Sequence, residues 1–269
     1  MKRDDLIHPF ISGNKIRKLK FNLTEAVRLN CKAIITFGGA YSNHLIASAA
    51  AGKELGIEVH GKVRGEELTI HSNSILQQCH EMGMKLEFLT RSEFTTQKHQ
   101  SGELQINGSS YWVIPEGGAN IQGIHGCAEI VSDIVQDFDY YMVAQGTTTT
   151  SLGLLISIPE NAKLIVIPVL KGFDVLNEMR ILLNDDVLFD ALSSKIIIWD
   201  NYHHGGYAKT SEELLTFIDA FHHMNDFQIE PVYTGKLFFA LNDFLSKEND
   251  FLQGKNVLAL HTGGIIKNN

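Results

Sequence analysis

Strand-like and helix-like segments alternate along nearly the whole of this chain, and that alternation limits the folds open to it. Residues 33–37 read as a buried strand ending in Gly38-Gly39, and a helix capped by Ser42 follows through Leu45, Ile46, Ala49 and Ala50. Strands are expected at 57–63, 84–89, 111–114, 140–144, 164–169, 196–199 and 257–260. Helices are expected at 68–82, 123–135, 151–158, 173–183, 212–221 and 235–244. The polar stretch 91–108 reads as a short helix and loop. The turn-rich run Pro115-Glu116-Gly117-Gly118-Ala119-Asn120 reads as a crossing between domains. Strands separated by helices imply right-handed crossovers and parallel sheets covered on both faces. Ligands in such folds sit beyond the carboxyl ends of the strands.

The stretch Ser12-Gly13-Asn14-Lys15-Ile16-Arg17-Lys18-Leu19 places a lysine just after a glycine turn. Ile16, Leu19, Leu23 and Ala26 then recur at helical spacing, and Ser12 is a suitable cap. A lysine near a helix N-terminus opposes the helix dipole. One task that would explain it is a Schiff base with a carbonyl cofactor such as pyridoxal phosphate (PLP). Taken alone, the stretch reads more readily as an exposed face of an amphipathic helix.

Other polar turns follow strand ends. Gly38-Gly39-Ala40-Tyr41-Ser42-Asn43-His44 leads into a helix N-terminus, whose free N–H groups suit an anion such as a substrate carboxylate. Gly146-Thr147-Thr148-Thr149-Thr150 does the same, and its N–H groups and hydroxyls suit a phosphate. No Walker lysine follows, which argues against a nucleotide P-loop. Tyr233, in Val232-Tyr233-Thr234-Gly235-Lys236, is a candidate acid, base or nucleophile, or else a packing residue. Adjacent histidines in Asn201-Tyr202-His203-His204-Gly205-Gly206-Tyr207 and at His222-His223 lack further ligands, so no metal site is expected.

The net charge of −8 argues against nucleic acid as a partner, because phosphate neutralisation needs clustered Lys and Arg. Cys31, Cys79 and Cys127 are scattered and form no CxxC pair, which fits free thiols in a cytoplasmic protein. No apolar run is long enough to span a membrane, and the charged N-terminus lacks the apolar core of a signal peptide.

Taken together, the ordered blocks KRDDL, SGNKIRKL, GGAYSNH, PEGGAN, the loop at Gly146, PVYTGK and HTGG resemble fold-type II PLP enzymes. More narrowly they resemble the family of D-cysteine desulfhydrase and 1-aminocyclopropane-1-carboxylate (ACC) deaminase. The resemblance runs from Lys2 to Gly264. It implies two three-layer α/β/α domains with mostly parallel sheets, similar to the tryptophan synthase β subunit. A small domain over 21–126 would be inserted into a larger PLP-binding one of 1–20 and 127–269, with the cofactor in the cleft between them. The chain begins almost at the first block, whereas such relatives carry a strand or two before it; either the larger domain lacks an edge or the sequence is a shortened one.

By this resemblance Lys15 holds PLP as an internal aldimine. Asn43 meets the ring hydroxyl and Thr234 the pyridine nitrogen. The loop of Gly146, Thr147, Thr148, Thr149 and Thr150 takes the phosphate, and Ser42, Asn43 and His44 hold the substrate carboxylate. Tyr233 and Tyr207 match two active-site tyrosines. A small amino acid as substrate and a homodimer are also implied. The phosphate loop departs from the family in carrying threonines where glycines are usual, and β-branched residues resist positive φ.

Position 234 bears on the substrate. ACC deaminases of this family resemble PVYEGK there, with a carboxylate that keeps the pyridine nitrogen protonated. Thr234 is neutral, which favours D-cysteine, giving pyruvate, sulfide and ammonia, over ACC as substrate. A non-catalytic amino-acid-binding relative with a degenerate phosphate loop is the rival from outside enzymology.

Overall fold

A computed structural model of the chain describes residues 1–8, 10–247 and 250–264. In chain order the elements are β1 (Lys2–Arg3), α1 (Asn14–Arg28), β2 (Ala33–Gly38), α2 (Asn43–Leu55), β3 (Glu58–Arg64) and α3 (Ser74–Glu81). Next come β4 (Lys85–Leu89), α4 (Arg91–Gln97), β5 (Gly102–Ile106), β6 (Ser109–Ile114), α5 (Ile121–Ser132), β7 (Tyr140–Gln145) and α6 (Thr149–Ser157). The rest are β8 (Lys163–Pro168), α7 (Val175–Leu183), α8 (Asp186–Ser193), β9 (Ile196–Ile198), α9 (Glu212–Met224), α10 (Thr234–Ser246) and β10 (Val257–His261). No helix among the described residues is long and apolar enough to cross a membrane.

The chain divides into two compact units. The first comprises Met1–Ile7, Ser12–Asn14 and everything described from Cys127 onward; the second comprises His8–Ile11 and Lys15–Gly126. The turn-rich run 115–120, read from sequence as a domain crossing, therefore lies inside the second unit.

The first unit carries a five-stranded sheet in the order β1-β10-β7-β8-β9, all of it parallel. Its middle strands are apolar and buried, as a sheet covered on both faces requires. Met142, Ile165, Ile167, Leu237 and Phe238 share one core. Trp199 stacks on Phe244 at its margin, with ring centroids 4.2 Å apart.

The second unit has the order β4-β3-β2-β6-β5, with β5 alone antiparallel. β2 is buried at every residue. The alanines of α2 let its backbone lie close to the sheet, and Ala47, Ala49, Ala50 and Ala51 are all buried. Asn22 on α1 joins three elements from inside: it accepts from Trp112 Nε1 at 3.0 Å and from Asn120 Nδ2 at 2.8 Å, and donates to the Lys18 carbonyl at 2.8 Å. Buried amides satisfied in this way fix one arrangement of α1, β6 and the turn that follows it.

Four elements differ from the sequence reading. The helix expected over 68–82 is confined to α3. Before it, the Ser72 hydroxyl takes the Thr69 N–H, the Thr69 hydroxyl takes the His71 N–H, and Asn73 caps the helix through the Leu76 N–H. These polar side chains compete with helical bonding. Within 91–108, β5 is a strand that the polar reading missed; it pairs with β6 around an Asn107-Gly108 turn with φ of 50° and 77°. α8 was not expected either. At the start of the chain α1 begins at Asn14, so Ser12 stands outside the capping position.

Candidate functional site

Both units carry polar groups gathered at strand ends. In the first unit β7 ends at Gln145, and residues 146–148 turn directly into α6. Neither Gly146 nor any of Thr147, Thr148, Thr149 and Thr150 has positive φ, so threonines suit this loop without strain. Thr148 stands at the capping position and its side chain makes no capping bond. Thr149 and Thr150 are buried. The Thr149 hydroxyl and the Gln145 Nε2 group are buried with no hydrogen-bond partner among the described residues. Ser151 donates to Gln145 Oε1, which leaves the amide's N–H side unmatched. Unmatched donors at a helix N-terminus after a parallel strand suit a phosphate, so these residues fit PLP.

Two other segments of the first unit meet this loop, through Asn14 and Tyr233. Asn14 donates from Nδ2 to Thr150 Oγ1 at 2.9 Å, which ties the residue before Lys15 to the loop. Gly13 packs on the end of β10, where a β-carbon would lie 1.8 Å from the Thr262 carbonyl oxygen. The Tyr233 ring lies over Gly146, where a β-carbon would come within 2.7 Å of ring Cε1 and 3.0 Å of the hydroxyl oxygen. Only glycine leaves room for that ring. Tyr207 is 54% exposed and stands edge-on to Tyr233, with centroids 6.2 Å apart.

Thr234 opens α10 and is fully buried. Its hydroxyl accepts from the Glu230 N–H at 2.9 Å and lies 3.3 Å from Glu230 Oε1. The Glu230 carboxylate also takes the N–H groups of Val232, Tyr233 and Thr234, each at 2.7 Å. Burial pushes this carboxyl above its ordinary range, and the bonds from Thr234, Val232 and Tyr233 oppose that rise. Sequence reasoning missed Glu230. The available signal was an acidic residue two to four positions ahead of N–H groups that open a helix.

In the second unit Lys15 is the second residue of α1 and is half-buried. Ser42 caps α2, accepting from the His44 and Leu45 N–H groups at 3.2 and 3.3 Å. Asn43 is the first residue of that helix. His44 is buried, and its Nε2 lies 2.9 Å from Thr36 Oγ1. The Thr36 hydroxyl gives its one proton to the Ile114 carbonyl at 3.0 Å, so His44 Nε2 must be the N–H donor. Nδ1 is then an acceptor, and it has no partner among the described residues. Burial above all, with the Lys15 and Lys18 charges, pushes the imidazole down to about 3. With Nε2–H engaged by Thr36 and the backbone N–H by Ser42, His44 presents Nδ1 as an acceptor.

The His44 shift has a measurable consequence. The unfolded chain binds this proton near 6.5 and the folded chain near 3, so stability falls as pH drops through that window and is unaffected above it. At pH 4.5 the cost is roughly 2.7 kcal/mol. The His44→Gln variant should lose that share of the acid-side decline in urea unfolding between pH 7 and 4.5. An unchanged decline would show that His44 is not the group responsible.

Among the described residues no cluster of His, Cys, Asp and Glu is arranged to hold a metal ion.

Comparison with known proteins agrees with this chemistry. A family model described as "Pyridoxal-phosphate dependent enzyme" matches residues 1–263. A Pyrococcus abyssi protein named "Putative 1-aminocyclopropane-1-carboxylate deaminase" is 32% identical, over 98% of this chain and 84% of the relative. The Arabidopsis thaliana mitochondrial bifunctional D-cysteine desulfhydrase/ACC deaminase is 27% identical, over 99% of this chain and 72% of the relative. A crystal structure of an ACC deaminase homologue superposes with a TM-score of 0.81 at 28% identity, covering 98% of this chain and 83% of the other.

Proposed function

Because the chain belongs to the family of pyridoxal-phosphate-dependent enzymes, we propose that it is a lyase that deaminates a small amino acid, with ACC as its first substrate and D-cysteine as its second. The observation that carries this reading is the phosphate cradle of the first unit. Its unmatched Thr149 hydroxyl and Gln145 amide stand at the N-terminus of α6, in the same unit as Tyr233 and Thr234.

The residues that resemble the family's cofactor-binding set serve the cofactor in this proposal. Gly146, Thr147, Thr148, Thr149 and Thr150 hold the phosphate through N–H and O–H donors. Asn43 donates to the ring hydroxyl, and Thr234 bonds the pyridine nitrogen. Lys15 is the covalent attachment point. Ser42 and Asn43 receive the substrate carboxylate beside the neutral ring of His44. PLP supplies the electron sink for the carbanion that deamination generates. With D-cysteine, the freed Lys15 Nζ takes the α-proton. ACC has no α-hydrogen, so its ring opening needs a group acting elsewhere on the substrate. Tyr233, held beside Gly146, is the group proposed for that step.

The names of the relatives favour ACC. The sequence argument for D-cysteine rests on a neutral hydroxyl at position 234. Glu230 weakens that argument, because its carboxylate lies 3.3 Å behind the hydroxyl and can receive the Thr234 proton. D-Cysteine remains the second reading, since Thr234 itself carries no charge.

The test supplies PLP and measures ammonia from each substrate, with 2-oxobutanoate from ACC and pyruvate and sulfide from D-cysteine. Turnover of ACC supports the first reading. A kcat/KM for D-cysteine more than 100-fold above that for ACC establishes the second. Bound PLP with neither reaction would refute both.

A further inference from the structure

Lys236 lies two residues inside α10 and is completely buried. A lysine in a core is costly unless its ammonium is bound. Here Nζ donates to two backbone carbonyls, His203 O and Gly206 O, each at 2.8 Å. Those carbonyls belong to a turn that needs holding. His204, Gly205, Gly206 and Ala208 have φ of 47°, 94°, 121° and 53°. Two of the four are not glycine, and left-handed backbone costs such residues roughly 1–2 kcal/mol each. His204 adds a second tie through Ser211 Oγ, 2.8 Å from its Nδ1.

The turn carries Tyr207, next in sequence to Gly206, and Tyr207 meets the Tyr233 ring edge-on. Tyr233 is fixed from its own side, by its N–H on Glu230 and by its ring across Gly146. Two side chains thus hold two tyrosine-bearing segments. The Glu230 carboxyl group collects the N–H groups of 232–234, and the buried Lys236 amine collects the carbonyls of 203 and 206. A core role alone would be served by methionine or leucine, which bring no charge to bury.

We propose that Lys236 is a positioning residue: its ammonium staples the 203–206 turn from inside and so sets Tyr207 against Tyr233. It touches no substrate and acts through the turn. The proposal rests on the deaminase reading only for its effect on turnover; the staple itself stands on the first unit's geometry.

The test uses full-length, PLP-loaded protein. In Lys236→Met, two buried carbonyls lose their donor and the turn is released. Trypsin should then cleave after the exposed Lys209 at least tenfold faster than in wild type. On the better of ACC and D-cysteine, kcat should fall by about ten- to a hundredfold, with KM changed less than threefold. Lys236→Ala leaves space for a small amine. Millimolar methylammonium should restore part of its kcat and slow cleavage at Lys209, whereas tetramethylammonium, which has no N–H, should do neither. An unchanged tryptic rate and kcat in Lys236→Met would overturn the staple. So would equal effects of the two amines. The tryptic and amine readouts need no turnover, so they judge the staple even where neither substrate is consumed. Should Lys236→Met not fold, Lys236→Ala with and without methylammonium decides alone.

Discussion

Replacing Lys15 with alanine should lower ammonia release by at least about 10³-fold, on the order of 4 kcal/mol in the barrier. Lys15 is the second residue of α1, just after a turn in which Gly13 and Asn14 are each pinned to another strand or loop. A backbone fixed in that way restricts where the amine can reach. Alanine is the best helix former and leaves α1 intact, so the loss should come without a fall in unfolding free energy. It should also remove the covalent cofactor link. A variant that kept more than a tenth of wild-type turnover would remove Lys15 from the role proposed for it.

The second large effect is expected one turn earlier. Gly13 has φ of 67°, and a β-carbon there would sit 1.8 Å from Thr262 O and 2.6 Å from Gly263 N. Both neighbours are backbone, so no side chain can swing aside. Alanine at this position must push the end of β10 away from the turn. That breaks two bonds, Gly13 N to Asp4 O at 3.1 Å and Asn14 N to Thr262 O at 3.2 Å. The left-handed penalty adds to the clash. Gly13→Ala should therefore cost at least ~3 kcal/mol in urea unfolding, among the larger single-residue effects. It should also weaken PLP retention, because Lys15 moves with the turn. A loss below about 1 kcal/mol would show that the turn can re-form elsewhere.

Two turns were legible in the sequence for different reasons. Gly38-Gly39 stood out because it follows the apolar run 33–37 and precedes a helical period, and Lys15 because it follows the Gly13 turn where a helical period begins. Two boundaries were recovered where a side chain marks them: Ser42 caps α2, and Pro115 follows β6 directly. β5 was missed because four of its five residues in a row are exposed, so it shows no buried alternation. The Asn107-Gly108 pair was its available signal, a common hairpin turn. α8 was hidden behind Asn184, which ends α7 in the left-handed region, while Asp185 caps the next helix at once.

Site chemistry was less legible than fold. The threonine loop argued against a phosphate site only if it needed positive φ, and its backbone does not. Lys236 binds backbone carbonyls of a segment that folds beside it, and no pattern in one sequence reports a backbone carbonyl. The His44 tautomer was not legible because it is set by Thr36 and Ile114, which belong to β2 and β6. Residue type alone suggested a donor; the network leaves an acceptor.

The account's central claim is that Lys15 is the lysine to which PLP is joined. Borohydride reduction of the PLP-loaded protein, followed by peptide mapping, tests it most directly. Two buried lysines, Lys18 and Lys236, are the alternatives inside the fold. The account predicts one cofactor per chain, fixed to the peptide that contains Lys15, with both others unmodified. An adduct on Lys18 or Lys236, or PLP bound with no reducible link to any lysine, would contradict it.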